Sequence, residues 1–248
     1  MDVENQIELL KDWVQDCKPG GLVFFGGAGV STESGIPDFR SADGVYNQKY
    51  PYPPEVMVSH TFFMQHTREF YDFYFEKMVF ENAEPNKAHK KLAELESEGI
   101  CSAVITQNID GLHQTAGSSN VLELHGSIHR NTCMDCRSHF SLAQTTKAWQ
   151  SATDGIPHCP NCGGIIKPDV VLYEEPLNSK VTEDAITAIS RAEILVIAGT
   201  SLVVYPAAGM IDYFHGKHLV IINLSATKAD RSADLCITEK VGKVFSAF

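Results

Sequence analysis

Short apolar runs alternate with amphipathic segments along most of the chain. Apolar residues on one face predict a helix over residues 3–17, closed by a Pro-Gly-Gly sequence, and a buried strand over 22–25 follows. The alternation continues, with helices predicted at 86–99, 111–116, 181–191 and 207–214, and strands at 103–105, 121–124, 194–198 and 219–223. Short apolar strands between helices are typical of a mostly parallel sheet covered on both faces. The pattern therefore predicts a doubly wound α/β domain.

Two segments interrupt this alternation. Residues 43–85 are rich in Tyr, Phe and Pro, and residues 128–166 hold four cysteines in otherwise polar, irregular sequence. We therefore predict that 1–42, 86–127 and 167–248 form the doubly wound domain, and that the two interrupting segments form a smaller inserted domain. A length of 248 residues is ample for one large core and a small module.

The balance of charges limits the partners. The chain has 20 Lys and Arg against 31 Asp and Glu, a formal net charge of −11. An acidic chain without a basic cluster does not suit bulk nucleic acid, whereas it suits a basic peptide. The first five residues are acidic and polar, unlike a signal peptide, and Gly, Pro and polar residues break the uncharged stretch 194–211. We expect a cytoplasmic protein without a nucleic-acid or membrane partner.

Four of the seven cysteines form two C-x₂-C pairs, Cys133 with Cys136 and Cys159 with Cys162. Four thiolates in this arrangement suit a tetrahedral zinc ion with no open coordination position. The odd cysteine count argues against a secreted disulfide framework. The alternatives are a redox pair or simple burial. A redox pair would leave the second C-x₂-C pair unexplained, and we therefore predict one structural zinc per chain. Three nearby histidines are candidate competing ligands: His129, His139 and His158.

A glycine-rich turn follows the first predicted strand. Gly27 and Gly29 fill two places of the dinucleotide fingerprint G-x-G-x-x-G, but Thr32 stands at the third, and no acid follows about twenty residues on at a second strand end. Glycine lets the backbone approach a phosphate closely, and a following helix N-terminus supplies amide donors. On these residues alone, an ordinary strand-to-helix turn is the alternative. The loop 34–40 combines Gly, Pro, an acid, an aromatic and Arg, which suggests a segment that closes over a ligand.

Polar side chains also follow the next two predicted strands. Gln107, Asn108 and Asp110 come directly after the strand 103–105, at the sheet edge where ligands bind in open α/β folds. A helix cap made by Asn or Asp is the alternative. His125 comes directly after the following strand, 121–124, and a histidine that titrates near neutrality suits removal of a hydroxyl proton. A structural role is the alternative for one histidine among ten.

These motifs, taken together and in this order, resemble the sirtuins, the family of NAD-dependent protein deacylases. The resemblance spans roughly residues 22–242 and is to a compact prokaryotic-type member. The matching segments are Gly27-Ala28-Gly29-Val30-Ser31, Ser34-Gly35-Ile36-Pro37-Asp38-Phe39-Arg40, Thr106-Gln107-Asn108-Ile109-Asp110, His125-Gly126, the two cysteine pairs, Gly199-Thr200-Ser201-Leu202 and Ile222-Asn223-Leu224.

The resemblance implies a Rossmann-like NAD-binding domain with a smaller helical and zinc-ribbon domain inserted. It also implies a reaction, in which the acetyl group of an acetylated lysine in a protein or peptide is transferred to ADP-ribose. NAD is then a co-substrate, nicotinamide is released, and O-acetyl-ADP-ribose is formed. The acetyl oxygen attacks the nicotinamide ribose carbon, and His125 removes a ribose hydroxyl proton. Zinc lies outside this chemistry.

The resemblance assigns roles to individual residues. The expected catalytic residues are His125, Asn108 and Asp110. The expected NAD contacts are Ala28, Gly29, Thr32, Phe39, Arg40, Gln107, Asn108, Ile109, Asp110, His125, Thr200, Ser201, Asn223, Leu224 and Val241. A neutral Asn223 without an arginine nearby favours NAD over NADP.

The segment 167–175 is expected to pair with the substrate peptide as an added strand, by resemblance to the family. Val171 and Tyr173 would flank the acyl-lysine. Glu174 stands where the family usually has glycine, which adds bulk and negative charge beside the peptide and favours basic peptides. A plain β-strand with an acidic end is the alternative.

The acyl group is predicted from two positions in the 43–85 segment. Sirtuins that remove succinyl or malonyl groups carry a tyrosine and, three residues on, an arginine that pairs with the acyl carboxylate. Tyr71 matches the tyrosine, but Tyr74 stands at the arginine position. We therefore predict deacetylation over desuccinylation. Long uncharged acyl groups stay open because the segment is rich in aromatic residues, most of which we expect to be core.

Two other functions are compatible with the same residues. One is a mono-ADP-ribosyltransferase or NAD hydrolase on the same fold, which would consume NAD while the peptide keeps its acetyl group. The other is a non-catalytic NAD-sensing module, which would bind NAD without turnover and would not need His125. A nicotinamide dehydrogenase is disfavoured because the third glycine and the ribose-binding acid are missing.

Overall fold

The computed structural model describes residues 1–39, 44 and 50–248. The strands in this part of the chain are β1 Leu22–Gly26, β2 Cys101–Thr106, β3 Val121–Glu123, β4 Gly126–Cys133, β5 His139–Ser141, β6 Ile166–Val170, β7 Ile194–Ala198, β8 His218–Ile222 and β9 Leu235–Ile237. The α-helices are α1 Val3–Asp16, α2 Pro54–Met57, α3 His60–Gln65, α4 Thr67–Lys77, α5 Lys87–Ser97, α6 Leu112–Ala116, α7 Leu142–Ser151, α8 Ser179–Arg191 and α9 Val241–Phe245. Short 3₁₀-helices lie at Ala28–Val30, Thr32–Ser34, Ala207–Tyr213 and Lys228–Ser232.

Six strands form one sheet in the order β3-β2-β1-β7-β8-β9. Every neighbouring pair in this sheet is parallel. The chain builds outward from β1 to β3 on one side and from β7 to β9 on the other, so the strand order reverses between β1 and β7. The predicted doubly wound sheet is confirmed, and the loops after β1, β2, β7 and β8 lie at one edge of it.

Side chains of β1 alternate between two apolar layers. Leu22 and Phe24 face a layer that includes α1, α5 and α9, whereas Val23 and Phe25 face a layer that includes α8 and the 3₁₀-helix Ala207–Tyr213. All four side chains are at most 1% exposed. Burying such a side chain stabilises the fold by about 1.5–3 kcal/mol. Two buried faces explain why β1 is a continuous apolar run instead of an alternating one.

One predicted helix has a different geometry. The sequence predicts an α-helix over 207–214, and the structure has the 3₁₀-helix Ala207–Tyr213 there. Gly209 lies in its middle, and an interior glycine lowers the stability of an α-helix. The uncharged stretch 194–211 consists of β7, a turn and most of this helix, as predicted. Among the described residues, no helix has the length and apolar character needed to cross a membrane.

Three strands form a second, antiparallel sheet in the order β5-β4-β6. A small sheet next to the main one, with four cysteines beside it, confirms the predicted fold class. β6 pairs with β4 from Cys133 opposite Ile166 to Gly126 opposite Val170. The predicted domain boundaries after residues 127 and 166 therefore fall inside β4 and β6. The division into two domains, with these limits, stays a prediction.

Helix α7 lies in a segment for which the sequence predicts only irregular structure. It begins with a capping box, in which the Gln144 N–H donates to the Ser141 hydroxyl and the Ser141 N–H donates to the Gln144 side chain. The pattern Ser-x-x-Gln is a sequence signal for such a box. The apolar signal is weak because only Leu142 and Thr145 are buried in this helix.

Helices α3 and α4 carry aromatic residues into a separate core, as expected for most of them, and α2 contributes Met57 to it. Tyr71 and Tyr74 of α4 are both 0% exposed. The Tyr71 hydroxyl donates to the carbonyl of Ile166 at 2.7 Å. The Tyr74 hydroxyl has no hydrogen-bond partner among the described residues. Burial raises the pKa of both phenols well above the usual value, so both stay protonated.

Removing these two hydroxyls should have different effects on stability. Tyr71→Phe takes a buried donor away from the Ile166 carbonyl and should lower the free energy of unfolding by about 1–2 kcal/mol. Tyr74→Phe removes a buried unpaired hydroxyl, so the free energy of unfolding should stay equal or rise by up to about 1 kcal/mol. Urea denaturation of the three proteins measures this contrast, and equal losses in both variants would contradict it.

Candidate active site and metal centre

A cavity of about 510 Å³ lies at the carboxyl ends of β1, β2, β7 and β8. Ligands of open α/β sheets bind at this edge, where the strand order reverses. All described residues that the sequence assigns to NAD or to the peptide line this cavity: Ala28, Gly29, Thr32, Phe39, Gln107, Asn108, Ile109, Asp110, His125, Val171, Tyr173, Glu174, Thr200, Ser201, Asn223, Leu224 and Val241. Arg40 lies outside the described residues. The fold brings the others together, while their individual roles stay predictions.

The glycine turn after β1 packs backbone against backbone with the turn after β7. The Gly29 N–H donates to the carbonyl of Gly199 at 2.8 Å. A Cβ on Gly29 would lie 2.8 Å from the Cα of Gly199, and a Cβ on Gly199, where φ is +58°, would lie 2.5 Å from the nitrogen of Val30. Both positions therefore require glycine. The bare backbone of this turn fits the close approach of a dinucleotide pyrophosphate.

Ser31 links the glycine turn to two predicted catalytic residues. The Asn108 amide donates to the Ser31 hydroxyl at 3.0 Å, and that hydroxyl donates to Oδ2 of Asp110 at 2.6 Å. The N–H of Leu112 donates to Oδ1 of Asp110 at 3.0 Å, so Asp110 also caps the start of α6. Ser31 is 1% exposed. These hydrogen bonds fix the orientations of both side chains at the cavity wall.

The protonation state of His125 follows from its hydrogen bond. Its Nδ1 lies 2.9 Å from the carbonyl oxygen of Gln107. A carbonyl can only accept, so Nδ1 carries the proton and Nε2 keeps its lone pair. Burial lowers the pKa of His125, against a smaller opposing effect of the Gln107 carbonyl. The ring is therefore neutral at pH 7, in the tautomer that accepts a proton at Nε2.

At the other end of the cavity, one side-chain hydrogen bond joins two loops and another lies within a third loop. The Gln107 amide, after β2, donates to the Thr200 hydroxyl, after β7, at 3.0 Å. Asn223 follows β8, and its amide donates to the carbonyl of Ser225 at 2.8 Å. Val241 at the start of α9 is buried. This end of the cavity is the predicted place of the NAD phosphates and adenosine.

Two histidines that sequence analysis does not single out lie buried near Asp110. His89 in α5 and His113 in α6 have ring centroids 4.6 Å apart. Nδ1 of His89 accepts from the N–H of Asn86 at 3.2 Å. The other ring nitrogens, Nε2 of His89 and both of His113, have no partner among the described residues. Burial lowers the pKa of His89 to about 4, with Asp110 opposing, and burial and then His89 lower the pKa of His113 to about 3.

These two rings should make stability depend on pH. Because both folded pKa values lie below the ordinary 6.5, the unfolded chain binds more protons, and stability falls as pH decreases from 6.5 toward 4. Each ring should contribute about 2 kcal/mol to the loss between pH 7 and pH 5. In urea denaturation, we expect the decrease in the free energy of unfolding between pH 7 and pH 5 to be about 2 kcal/mol smaller in His113→Phe than in the wild type. An unchanged loss in the variant would contradict the buried neutral state of His113.

The chain segment after β6 runs along the cavity beside His125. The Val171 N–H donates to the His125 carbonyl at 2.9 Å. The Tyr173 N–H donates to the carbonyl of Val58, and the Tyr173 carbonyl accepts from the N–H of His60, both at 3.0 Å. The backbone of Tyr173 is therefore paired to the chain that leads into α3. Strand β6 itself ends at Val170, so the predicted peptide-binding residues lie beyond the strand.

Glu174 adopts a φ of +75°, in the left-handed region. Glycine enters this region freely, whereas other residues pay about 1–2 kcal/mol, which gives a physical reason for the family's usual glycine. The Glu174 carboxylate accepts from the N–H and the hydroxyl of Thr61 at 2.8 and 2.7 Å. These hydrogen bonds, and more weakly His60, lower the pKa of Glu174. The position therefore holds an ionised carboxylate anchored to the start of α3.

The four paired cysteines converge beside the small sheet, with all Sγ atoms within 4.8 Å of one another. The Sγ atoms of Cys133 and Cys162 lie 3.5 Å apart, and those of Cys136 and Cys159 lie 3.6 Å apart. Sulfurs at a Zn–S distance of about 2.3 Å are about 3.8 Å apart in a tetrahedron. The four thiolates therefore fit a tetrahedral zinc ion. In the described part of the chain, this cluster does not include the three candidate histidines, His129, His139 and His158.

The two positions used to predict the acyl group lie away from the cavity. Tyr71 and Tyr74 are fully buried, and neither lines the cavity. Their rings pack in the aromatic core of α2–α4, as Tyr71 against Phe63 and Phe70 shows. The argument from these positions therefore does not describe an acyl-recognising contact in this structure.

The geometry defines a nucleotide-binding α/β domain joined to a four-cysteine metal module. The model of the Sir2 family matches residues 27–206. An NAD-dependent protein deacetylase of Clostridium acetobutylicum is 56% identical over 243 residues, covering 95% of this chain and 98% of its own. A Sir2 structure with a p53 peptide and NAD⁺ superposes with a TM-score of 0.85 at 38% identity, over 97% of this chain and 96% of that chain. Another, with a deacetylated p53 peptide and 3′-O-acetyl ADP ribose, has a TM-score of 0.88 at 37% identity, over 99% and 96%. The chain belongs to the Sir2 family, which confirms the predicted resemblance to the sirtuins.

Proposed function

We propose that this protein is an NAD-dependent protein-lysine deacetylase, which transfers the acetyl group of an acetylated lysine to ADP-ribose and releases nicotinamide. One observation carries the proposal: His125, neutral with Nε2 free to accept a proton, lies in one cavity with Asn108 and Asp110, which Ser31 fixes. Support also comes from relatives named NAD-dependent protein deacetylase, matched over nearly their whole length. A Sir2 structural neighbour is bound to an acetylated peptide.

In this proposal, different residues of the cavity bind NAD, orient it and accept a proton. NAD, when bound, supplies an electrophilic ribose carbon that the acetyl oxygen attacks as nicotinamide leaves. The glycine turn at Gly29 lies against Gly199, and the absence of side chains there lets the pyrophosphate approach the backbone closely. Asn108 and Asp110, held rigidly, bind at the nicotinamide side. His125 accepts a ribose hydroxyl proton at Nε2, which suits a general base at neutral pH.

The metal has a separate role in this proposal. Cys133, Cys136, Cys159 and Cys162 hold one zinc ion, and four thiolates leave no position for water or substrate. None of the four cysteines lines the cavity that contains His125. The zinc therefore stabilises the small sheet and takes no part in acyl transfer.

The proposed partner is a protein or peptide that carries acetyl-lysine, laid along Val171, Tyr173 and Glu174. A backbone that runs beside this segment would bring the acetylated side chain to His125, whose carbonyl accepts from Val171. We propose no role for nucleic acid or a membrane, and a cytoplasmic location. The location is proposed because four of the seven cysteines form a metal-binding cluster and the odd cysteine count does not suit a disulfide framework.

Mass spectrometry of an acetyl-lysine peptide incubated with and without NAD tests the proposal. We expect NAD-dependent loss of the acetyl group, with O-acetyl-ADP-ribose formed in equal amount. Consumption of NAD with ADP-ribose attached to protein, while the peptide stays acetylated, would replace deacetylation by ADP-ribosyl transfer. NAD binding without consumption would show that the protein is a non-catalytic NAD-sensing module.

A further inference from the structure

A second cavity, of about 340 Å³, shares a wall with the first. Tyr173 and Glu174 line both cavities, so a peptide laid along these residues passes the second cavity as well. Helices α2 and α3 and the residues that flank them form the rest of its walls. The acyl-transfer chemistry proposed above uses none of these helices, so this cavity is free for another role.

Three rings form one wall of the second cavity. Tyr52 packs edge-on against Phe62 with ring centroids 5.1 Å apart, and Phe62 stacks on His66 at 4.8 Å. Tyr52 is 39% exposed, so part of its ring is open to a ligand. The face of an electron-rich ring attracts a cation, and a guanidinium stacks on it with its flat side.

Two carboxylates belong to the same cavity. Glu174 is held in place by Thr61, as described above. Glu55 is exposed and has no ion-pair partner within residues 1–39, 44 and 50–248. The nearby Glu175, by contrast, pairs with Lys167 at 3.2 Å. Among the described residues, the lining holds these two carboxylates and His66 but no lysine or arginine, so no fixed positive charge of the lining offsets the carboxylates.

We infer that the second cavity binds an arginine or lysine side chain of the substrate peptide, close to the acetyl-lysine. This inference rests on the proposed function. An apolar side chain would desolvate Glu55 and Glu174 without replacing their hydrogen bonds, whereas a basic side chain pairs with the carboxylates and covers the rings. A strand rises about 3.3 Å per residue, and the cavities share a wall, so only one or two peptide positions can reach the subsite. Arginine is the better occupant because its planar fork both stacks and pairs.

Peptides that differ only in charge test the inference. Each position flanking the acetyl-lysine carries arginine or its neutral isostere citrulline in turn, and kcat/KM for NAD-dependent deacetylation is measured for both. At one position, or at two adjacent ones, kcat/KM should be about five- to tenfold higher for the arginine peptide than for the citrulline peptide, mainly because KM is lower. This difference corresponds to one ring contact and one or two exposed ion pairs. The ratio is taken within each enzyme, so a general loss of activity in a variant cancels.

The variants Glu55→Gln and Glu174→Gln should each reduce the arginine-to-citrulline ratio at that position, and the double variant should bring it close to one. Glu98→Gln, at an exposed position after α5, is the matched control and should keep the wild-type ratio. A preference spread equally over all positions would reflect only the net charge and would overturn the inference, as would a ratio near one in the wild type. Absence of any deacetylation would instead contradict the proposed function.

Discussion

His125→Ala should abolish NAD-dependent deacetylation while the protein stays folded. The neutral imidazole is the predicted acceptor of the ribose hydroxyl proton, and a general base contributes about 10²–10⁴-fold to a rate. We therefore expect kcat to fall by about three orders of magnitude at pH 7.5. NAD binding, measured by calorimetry, should weaken much less, because the glycine turn and the Ser31 network do not depend on this ring. The readout is acetyl loss by mass spectrometry.

The pH dependence of the wild type adds a second, independent measurement. Burial holds the pKa of His125 below its ordinary value of 6.5, so the base stays neutral and active at neutral pH. The rate should fall only on the acid side, as pH drops below 6.5 through the folded pKa. The exposed His215→Ala is the matched control and should keep wild-type activity. More than a tenth of the wild-type kcat in His125→Ala would make His125 a structural residue.

The hydrophobic pattern was sufficient to predict five of the six strands of the main sheet, but it did not predict the short edge strand β9. A strand buried on both faces has to be apolar throughout, as in β1, and the helices between the strands need only one apolar stripe. The pattern is weaker where burial is partial. Helix α7 buries only Leu142 and Thr145, so its capping box is a better signal than its periodicity. The 3₁₀-helix Ala207–Tyr213 and the pairing of β6 with β4 depend on tertiary contacts that the local sequence does not record.

The site was predictable as a set of residues but not as a network. Ser31 lies within a recognised motif, yet its role depends on contact with Asp110, which is 79 residues away. His89 and His113 look like ordinary helix residues, and only packing buries both beside Asp110. For Tyr71 and Tyr74, the sequence indicated a role that the fold does not support: both match acyl-recognising positions of the family, but neither lines the cavity. Motifs identify residues with suitable chemistry, whereas the fold determines whether each side chain is buried and whether it faces the cavity.

Removing the zinc should cost more stability than any point substitution considered above. Binding of structural zinc is worth about 10–16 kcal/mol at neutral pH, which is as large as the total stability of a typical domain. The Cys159 thiol is buried beside the small sheet and has Cys136 as its neighbour at 3.6 Å. We expect Cys159→Ser to bind little zinc, by elemental analysis, and to lose both the folded small sheet and the deacetylase activity. Cys17→Ser, outside the cluster, should keep one zinc per chain and full activity.

Loss of activity on zinc removal does not by itself separate a structural metal from a catalytic one, but replacing the metal does. Four thiolates close the coordination sphere, so the identity of the ion should not alter the chemistry at His125. Enzyme loaded with Co²⁺ should show the absorption bands of tetrahedral cobalt–thiolate and keep kcat within about twofold of the zinc enzyme, because no coordination position is open to substrate. A kcat that changes severalfold with the metal would mean that the ion contacts the reacting groups. That result would overturn the separation between the metal module and the cavity.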